Sequence, residues 1–512
     1  MAESSPADLP AMFRPPLASG MKVLDRSFFR KTIQVKAARV FNNKNISLIR
    51  TQFEKSKDIL REERIASVVA DPDENLARIG RKCVLLRPEV RLQSIAINPG
   101  GDLANGESIT NGTDKENSWP HSPIISKLVQ QELISLTPYQ LHLDYTHWTY
   151  HDIITSILPS TAQTEVPSGF SQVGHVAHLN LREQYLPYKA LIAEILLDKN
   201  PSVRTVINKI DDVGEENEFR TFKYEVLAGP DDMNVTVSES NCTFQFDYSK
   251  VYWNSRLGTE HARLVDLFKP GEAVCDVMAG IGPFAVPAGR KGVFVWANDL
   301  NPDSYASLQD AVKRNRVEEF VLPFNEDGRK FIRGSAAQLL EDEKTVEIKS
   351  KLSRKERDAG KKAQVVHKVV QPKVFQHYVL NLPASAVIFL SSFVGLYPPE
   401  LRAKLPARCR MPLIHVYTFS TKDELESSPS PSLVNESSPP RGTDFDDSSK
   451  GAVEKICAAI SEQLNYHMKP GSIDDNGGVE VYDVRDVAPK KRMFCATFRL
   501  PEAVAFRTQS DG

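Results

Sequence analysis

The chain has 512 residues, 41% of them hydrophobic and 25% charged, which suits a soluble globular protein with more than one core. Its 64 Lys and Arg stand against 66 Asp and Glu, a formal net charge of -2, so global charge gives no support to nucleic-acid binding and leaves that task to local patches. No apolar stretch approaches bilayer length, residues 384–394 being the longest candidate and read as a buried strand and helix start. The six cysteines stand singly without zinc-ligand spacing, which fits a reducing compartment.

Residues 1–20 carry Glu3, Asp8 and several prolines and read as a disordered leader. From Met21 to Arg50, eight Lys or Arg and one acid, Asp25, interleave with Phe28, Phe29, Val35 and Phe41. That composition resembles an Arg-rich amphipathic targeting segment; the plainer alternative is a basic first element of the fold. The rest of region 21–165 is mixed. Residues 57–70 predict a helix, 81–88 a short strand, 99–120 a flexible loop and 151–159 a short helix.

Residues 166–250 predict a small α+β domain, with strand patterns at 175–181, 202–210, 221–229 and 243–247 and helical periodicity from Leu186 to Leu197. From 251 to 512 the pattern changes to repeated strand, loop and helix, the form of a mostly parallel sheet with crossover helices. Two polar insertions interrupt it. Residues 341–373 hold ten Lys or Arg and six Asp or Glu, and 427–450 is Ser-, Pro- and Asp-rich and reads as a disordered loop. A helix at 453–464 and two strands, 479–487 and 493–500, complete the sheet as an antiparallel edge.

The run from Val274 to Gly282 ends an apolar strand with Asp276 and a glycine turn, Gly280 and Gly282. Such glycines let the backbone approach a ligand, and the helix that follows offers free N–H groups. Gly-x-Gly alone also occurs in ordinary tight turns. The next strand ends at Asp299, placed to take both ribose hydroxyls. The turn has Pro283 and lacks the third glycine of the dinucleotide fingerprint, which favours S-adenosylmethionine over NAD. Asp327 and Gly328 follow another short strand, where the acid suits an adenine amino group; the plain reading is an Asp-Gly turn. Asn381, Leu382 and Pro383 follow a further strand, the amide bringing one acceptor and two donors and the proline a fixed backbone.

Six segments, 175–210, 219–229, 244–264, 276–292, 297–304 and 379–386, together closely resemble the archaeal and eukaryotic tRNA (guanine-37-N1)-methyltransferases, most of all the fungal members. The resemblance is strong over 170–500 and looser over the N-terminal region. It implies a class I, Rossmann-like S-adenosylmethionine methyltransferase domain with a mixed α/β sheet, preceded by a small α+β domain and an N-terminal tRNA-binding region. It also implies a monomer that needs no metal or membrane and acts on cytoplasmic and mitochondrial tRNA with G37, in cytoplasm, nucleus and mitochondrial matrix.

Guanine N1 is a poor nucleophile while it holds its proton, so the reaction needs a base near N1 and a donor to negative charge growing on O6. The resemblance implies Glu260 as that base and Arg220 as the cation, with Tyr252 and Asn381 orienting the guanine and Pro383 shaping the pocket wall. It implies His261, Asp299, Leu300, Asp327 and Gly328 as cofactor-binding, beside Asp276, Gly280, Gly282 and Asn381. The plain alternatives are a helix-flanking Glu260, a surface Arg220 and a His261 satisfied at a domain seam; His377 and His415 have no assignable role. Arg182, Lys189, Arg204, Lys209 and the basic N-terminal run are candidates for RNA phosphate, against ordinary surface charge. Competing readings are aminocarboxypropyl transfer to a guanosine derivative at the same tRNA position, a non-catalytic tRNA-binding protein, and a small-molecule or protein methyltransferase.

Overall fold

The computed structural model describes residues 11–88, 122–159, 161, 166–167, 169–210, 219, 221–350, 362–421, 447–488 and 491–508. The chain divides into two compact units, Met1–Ser168 with Arg182–Lys199, and Gly169–Leu181 with Asn200–Gly512.

The first unit is built on an antiparallel sheet of β1 (Lys31–Val40), β2 (Val68–Ala70), β3 (Lys82–Leu85) and β4 (Ile134–Leu143), in the order β2-β3-β1-β4. Helices Ile46–Ser56 and Pro123–Gln130 cover one face, burying Ile49, Phe53, Ile125 and Leu128 against Ala38, Val40 and Val84. The basic run 21–50 is thus no free amphipathic helix: it holds the central strand, which is the plainer of its two readings. Nor is 11–20 loose throughout, since Phe13 and Ala18 are buried and the Ala18 amide donates to the Ser156 carbonyl at 2.9 Å. The helix expected over 57–70 is corrected. It runs before that point and stops at Lys57, whose φ of 60° turns the chain, while Asp58 is buried and accepts from Ser56 and Ser122. Residues 1–10 and the loop expected at 99–120 lie outside the described residues. Helix Lys189–Lys199 also belongs here; Tyr145 Oη and Arg26 Nε both donate to its Asp198 at 2.8 Å.

The second unit opens with β5 (Ser171–Val173), β6 (Val176–Leu179), β7 (Thr205–Lys209) and β8 (Tyr224–Ala228), paired in chain order. A hairpin of β9 (Asn234–Glu239) and β10 (Cys242–Asp247) follows, closed by Ser240 and Asn241 with φ of 49° and 60°.

Its main sheet comprises β11 (Ala273–Asp276), β12 (Phe294–Asn298), β13 (Val321–Phe324), β16 (His377–Leu380), β17 (Leu413–Thr421), β18 (Lys469–Pro470), β19 (Gly478–Ala488) and β20 (Lys491–Arg499). The order is β13-β12-β11-β16-β17-β20-β19-β18, parallel from β13 to β17 and antiparallel where β20 enters. The strands read as continuous apolar runs because both faces are covered. On β12, Phe294 and Trp296 enter one core while Val295 and Ala297 enter the other. Helix Pro302–Asn315 starts where Asn301 caps Asp303 and Pro302 takes the first turn, and it ends at Arg316 with φ 59°.

The charged insertion forms a hairpin, β14 (Thr345–Lys349) with β15 (Val365–Val370), whose connecting residues 351–361 lie outside the described set. Of the loop expected at 427–450, residues up to 446 are also outside it, and Asp447 already starts the helix to Leu464. Residues 384–394, expected as strand and helix start, hold the short 3-10 helix Ala386–Phe393. Among the described residues no helix is long and apolar enough to cross a membrane.

Candidate active site

Strand order reverses at β11, with β12 on one side and β16 on the other, and ligands of such sheets bind outside the carboxyl ends at that point. A cleft lies there. Asn298, at the end of β12, ties its loops together: Nδ2 donates to the Val277 and Glu326 carbonyls at 3.1 and 3.0 Å, and Oδ1 accepts from the Glu326 amide at 2.8 Å. One buried amide thereby fixes the segments after β11, β12 and β13.

Of the residues expected to bind the cofactor, His261, Gly280, Asp299, Leu300, Asp327, Gly328 and Asn381 line this cleft. Gly280 has φ 55° and open space where a Cβ would stand, and its amide donates to Asp299 Oδ2 at 2.8 Å. The Asn301 amide donates to Oδ1 at 2.9 Å, so Asp299 is aimed by backbone while each oxygen keeps a lone pair for a hydroxyl. Burial raises its pKa against the opposing pull of these two bonds. Asp327 caps helix Gly328–Glu341 through Oδ1, accepting from Arg329 and Lys330. His261 Nδ1 stands 2.6 Å from Glu239 Oε1, and its ring meets Phe284 edge-on at 4.8 Å.

Gly282 is not among the residues that line the cleft, and a Cβ there would stand 2.6 Å from Leu308 Cδ1. Asp276 lies behind the lining, fully buried, and neither carboxylate oxygen has a partner among the described residues. Burial first, then repulsion from Asp299, push its pKa well above the usual carboxylate range.

A second cleft adjoins the first, sharing Tyr252, Trp253, Asn254, Leu257 and Asn381 with it. Pro383 lines this cleft, and Asn381 Oδ1, buried and without a partner among the described residues, belongs to both walls. Lys209, Arg256 and Arg485 bring three cations to a lining that has no carboxylate among the described residues. His178 stacks on Phe222 at 4.9 Å and lies 3.1 Å from Tyr248 Oη; burial, then the Lys209 charge, lower its pKa to about 4, so it is neutral near pH 7.

Glu260 lines neither cleft. It is buried, accepting from Arg263 Nε at 2.6 Å, Arg263 Nη2 at 2.7 Å and Tyr417 Oη at 2.7 Å. Burial, the largest single influence, lowers the Arg263 pKa, but hydrogen bonding to Glu260 and the negative charge potential of the groups around it together raise it. A carboxylate so held is not poised at a substrate in this conformation. Arg220 lies outside the described residues; its neighbour Phe219 lines the first cleft. His377 and His415 are structural, with Nδ1 of the first 2.9 Å from Nε2 of the second, and His415 Nδ1 2.9 Å from Thr497 Oγ1. Sequence pattern did not single out Trp253, Phe389, Arg256 or Arg485. Only Asn301, an Asn before Pro302 at a helix start, left a capping signal that could have drawn attention.

With the two-residue edge strand β18 set aside, the other seven strands numbered within the sheet run 3-2-1-4-5-7-6, and this order, with the acid-ended β12 and the glycine turn after β11, defines a class I methyltransferase fold. Residues 235–390 match the family model for the TRM5/TYW2 methyltransferase domain, and 150–232 that for the TYW2 N-terminal domain. The chain belongs to the tRNA (guanine(37)-N(1))-methyltransferase family. It is 49% identical over 515 residues to the Aspergillus fumigatus protein of that name, covering 98% of this chain and 97% of the relative. The Schizosaccharomyces pombe protein of the same name is 40% identical over 495 residues, covering 96% and 97%. The crystal structure of Trm5b from Pyrococcus abyssi shares the fold at TM-score 0.52 and 18% identity, over 91% of this chain and 99% of that one.

Proposed function

We propose that this chain transfers the methyl group of S-adenosylmethionine to N1 of guanosine 37 in tRNA. The observation that carries the reading is the meeting of two unlike clefts at Tyr252 and Asn381. The first suits an uncharged nucleoside with an amino-acid tail: Asp299 for the ribose, Asp327 and Gly328 for the adenine, and the open side of Gly280 for close backbone approach. The second suits a base carried on a phosphate chain, with cations, aromatic rings and, among the described residues, no lining carboxylate. Bound S-adenosylmethionine supplies an electrophilic methyl on a sulfonium. The chain's share is to hold N1 in line with that methyl, through Asn381, Tyr252 and the fixed Pro383, and to keep water out with Trp253 and Leu257.

Glu260 is our candidate base and Arg220 our candidate donor to O6, both on family resemblance. Reaching N1 requires the Glu260 carboxylate to leave Arg263, so base action is coupled to breaking that pair. On the same resemblance we propose that the protein works as a monomer on cytoplasmic and mitochondrial tRNA, without a metal, in cytoplasm, nucleus and mitochondrial matrix. Among the described residues no cluster of three or more His, Cys, Asp or Glu could hold a metal ion.

The reaction is tested with radiolabelled S-adenosylmethionine and paired tRNA transcripts bearing G37 or A37, the product nucleoside being identified by mass spectrometry. N1-methylguanosine confined to the G37 transcript is expected. Label on both transcripts, or a heavier amino-acid adduct on the first, overturns the assignment.

A further inference from the structure

The second cleft carries a feature that the chemistry at N1 does not use. Arg256, on the short 3-10 helix Ser255–Leu257, and Arg485, on β19, both line it. Arg485 reaches the cleft because β19 bulges. Asp483 pairs with Phe494 and Arg485 with Met493, leaving Val484 as the extra residue. In a regular ladder Val484 would oppose Met493, and Arg485 would fall on the opposite face. The bulge instead sets Arg485 on the face of Met493, which lines the same cleft. A second irregularity, between Asp486 and Ala488, brings Val487 into the lining as well.

Both guanidiniums lack a carboxylate partner among the described residues: Asp483 and Asp486 pair with Arg492, and Arg485 Nε donates to the Asp486 carbonyl at 2.9 Å. The two stand close enough that Arg256, after burial, is the next largest influence lowering the Arg485 pKa. Two like charges held together at a concave wall, on a strand deformed to present one of them, are an arrangement that an anion relieves.

Resting on the proposed RNA substrate, we infer that Arg256 and Arg485 clamp one phosphodiester of the RNA backbone next to the target nucleotide. They thereby act as positioning residues for its base in the adjoining aromatic pocket. The diester anion matches a paired guanidinium fork, and its sugar link places the base within a nucleotide's reach of Tyr252 and Asn381.

The test measures binding of full-length tRNA, assembled by ligation with one neutral methylphosphonate linkage 5′ or 3′ of G37, to wild type and to Arg256→Gln/Arg485→Gln. The double variant is expected to bind unmodified tRNA roughly tenfold more weakly. Its salt-dependence slope should fall by about 0.7, the share of one single-stranded phosphate that is no longer neutralised. One of the two neutral linkages should weaken wild type by the same factor and leave the double variant almost unchanged. Arg485→Lys, which keeps the charge but not the fork, should fall between. Additive losses at both linkages, or undiminished binding by the double variant, overturn the clamp. Binding is read without turnover, so a wild type that binds tRNA but does not methylate G37 sinks the proposed reaction and leaves the clamp to be judged on its own. No tRNA binding by wild type overturns both.

Discussion

Glu260 shows how one side chain can fit two roles that experiment can separate. In the proposed role of base it would govern the chemical step, and Glu260→Gln should then lower kcat by roughly 100-fold or more. As half of a buried pair it stabilises the fold, and leaving the Arg263 guanidinium unmatched should cost about 3–5 kcal/mol. Measuring kcat against pH beside the melting temperature of the variant decides between them. A large kcat loss with flattening of the acidic limb marks the base, whereas a large melting shift with kcat nearly kept marks the pair. Asp276 offers a second contrast. Its folded-state pKa lies well above the unfolded value, so its contribution to stability is present in acid and is lost as pH rises through the folded pKa. Asp276→Asn should therefore raise the melting temperature of ligand-free protein at pH 7.5 more than at pH 4.5, while weakening S-adenosylmethionine binding by calorimetry. A variant that melts lower at pH 7.5 would contradict the unpaired state of this carboxyl.

At the scale of elements, the turn after β11 and the helix that begins at Pro302 are locked together through Gly282. Its φ of 96° and the 2.6 Å approach of Leu308 to any added Cβ combine strain with overpacking. Gly282→Ala should destabilise by about 2 kcal/mol or more in urea titration. Gly280→Ala, with open space at its Cβ, should unfold closer to wild type and fail chiefly in cofactor binding. Equal urea midpoints for the two variants would show that the two glycines do not differ in packing. The Arg485 bulge belongs to this scale too, since a one-residue slip in strand pairing decides which face a charge occupies.

For the whole molecule, the net charge of -2 hides local patches of opposite sign, and the second cleft gathers cations that the total cancels. The basic segment 21–50 is committed to the first unit, because β1 pairs on both sides with β3 and β4. A cleaved targeting segment reaching into β1 would remove the centre of that sheet. Any organellar form should then begin upstream of Lys31, checked by mass spectrometry of its N-terminal peptide; a mature terminus beyond Val40 would refute this.

What the sequence determined by itself was local and periodic. Apolar runs ending in an acid and glycine turn, an acid, or an Asn-Leu-Pro triplet located β11, β12 and β16 with the loops after them, and family segments pointed to Tyr252, Asp299 and Asn381, because such signals sit within a few neighbouring residues. The antiparallel edge of β19 and β20 was legible for the same reason. Tertiary structure decided the rest. It showed Glu260 held by Arg263 and Tyr417, Gly282 packed close to Leu308, Asp276 without a partner among the described residues, and Arg485 facing the cleft. Those outcomes depend on pairings between residues as much as 157 positions apart and on a register shift that no linear pattern records. Burial and pairing are properties of the packed chain, so the chemistry of a carboxylate or a guanidinium is settled only when its neighbours are in place.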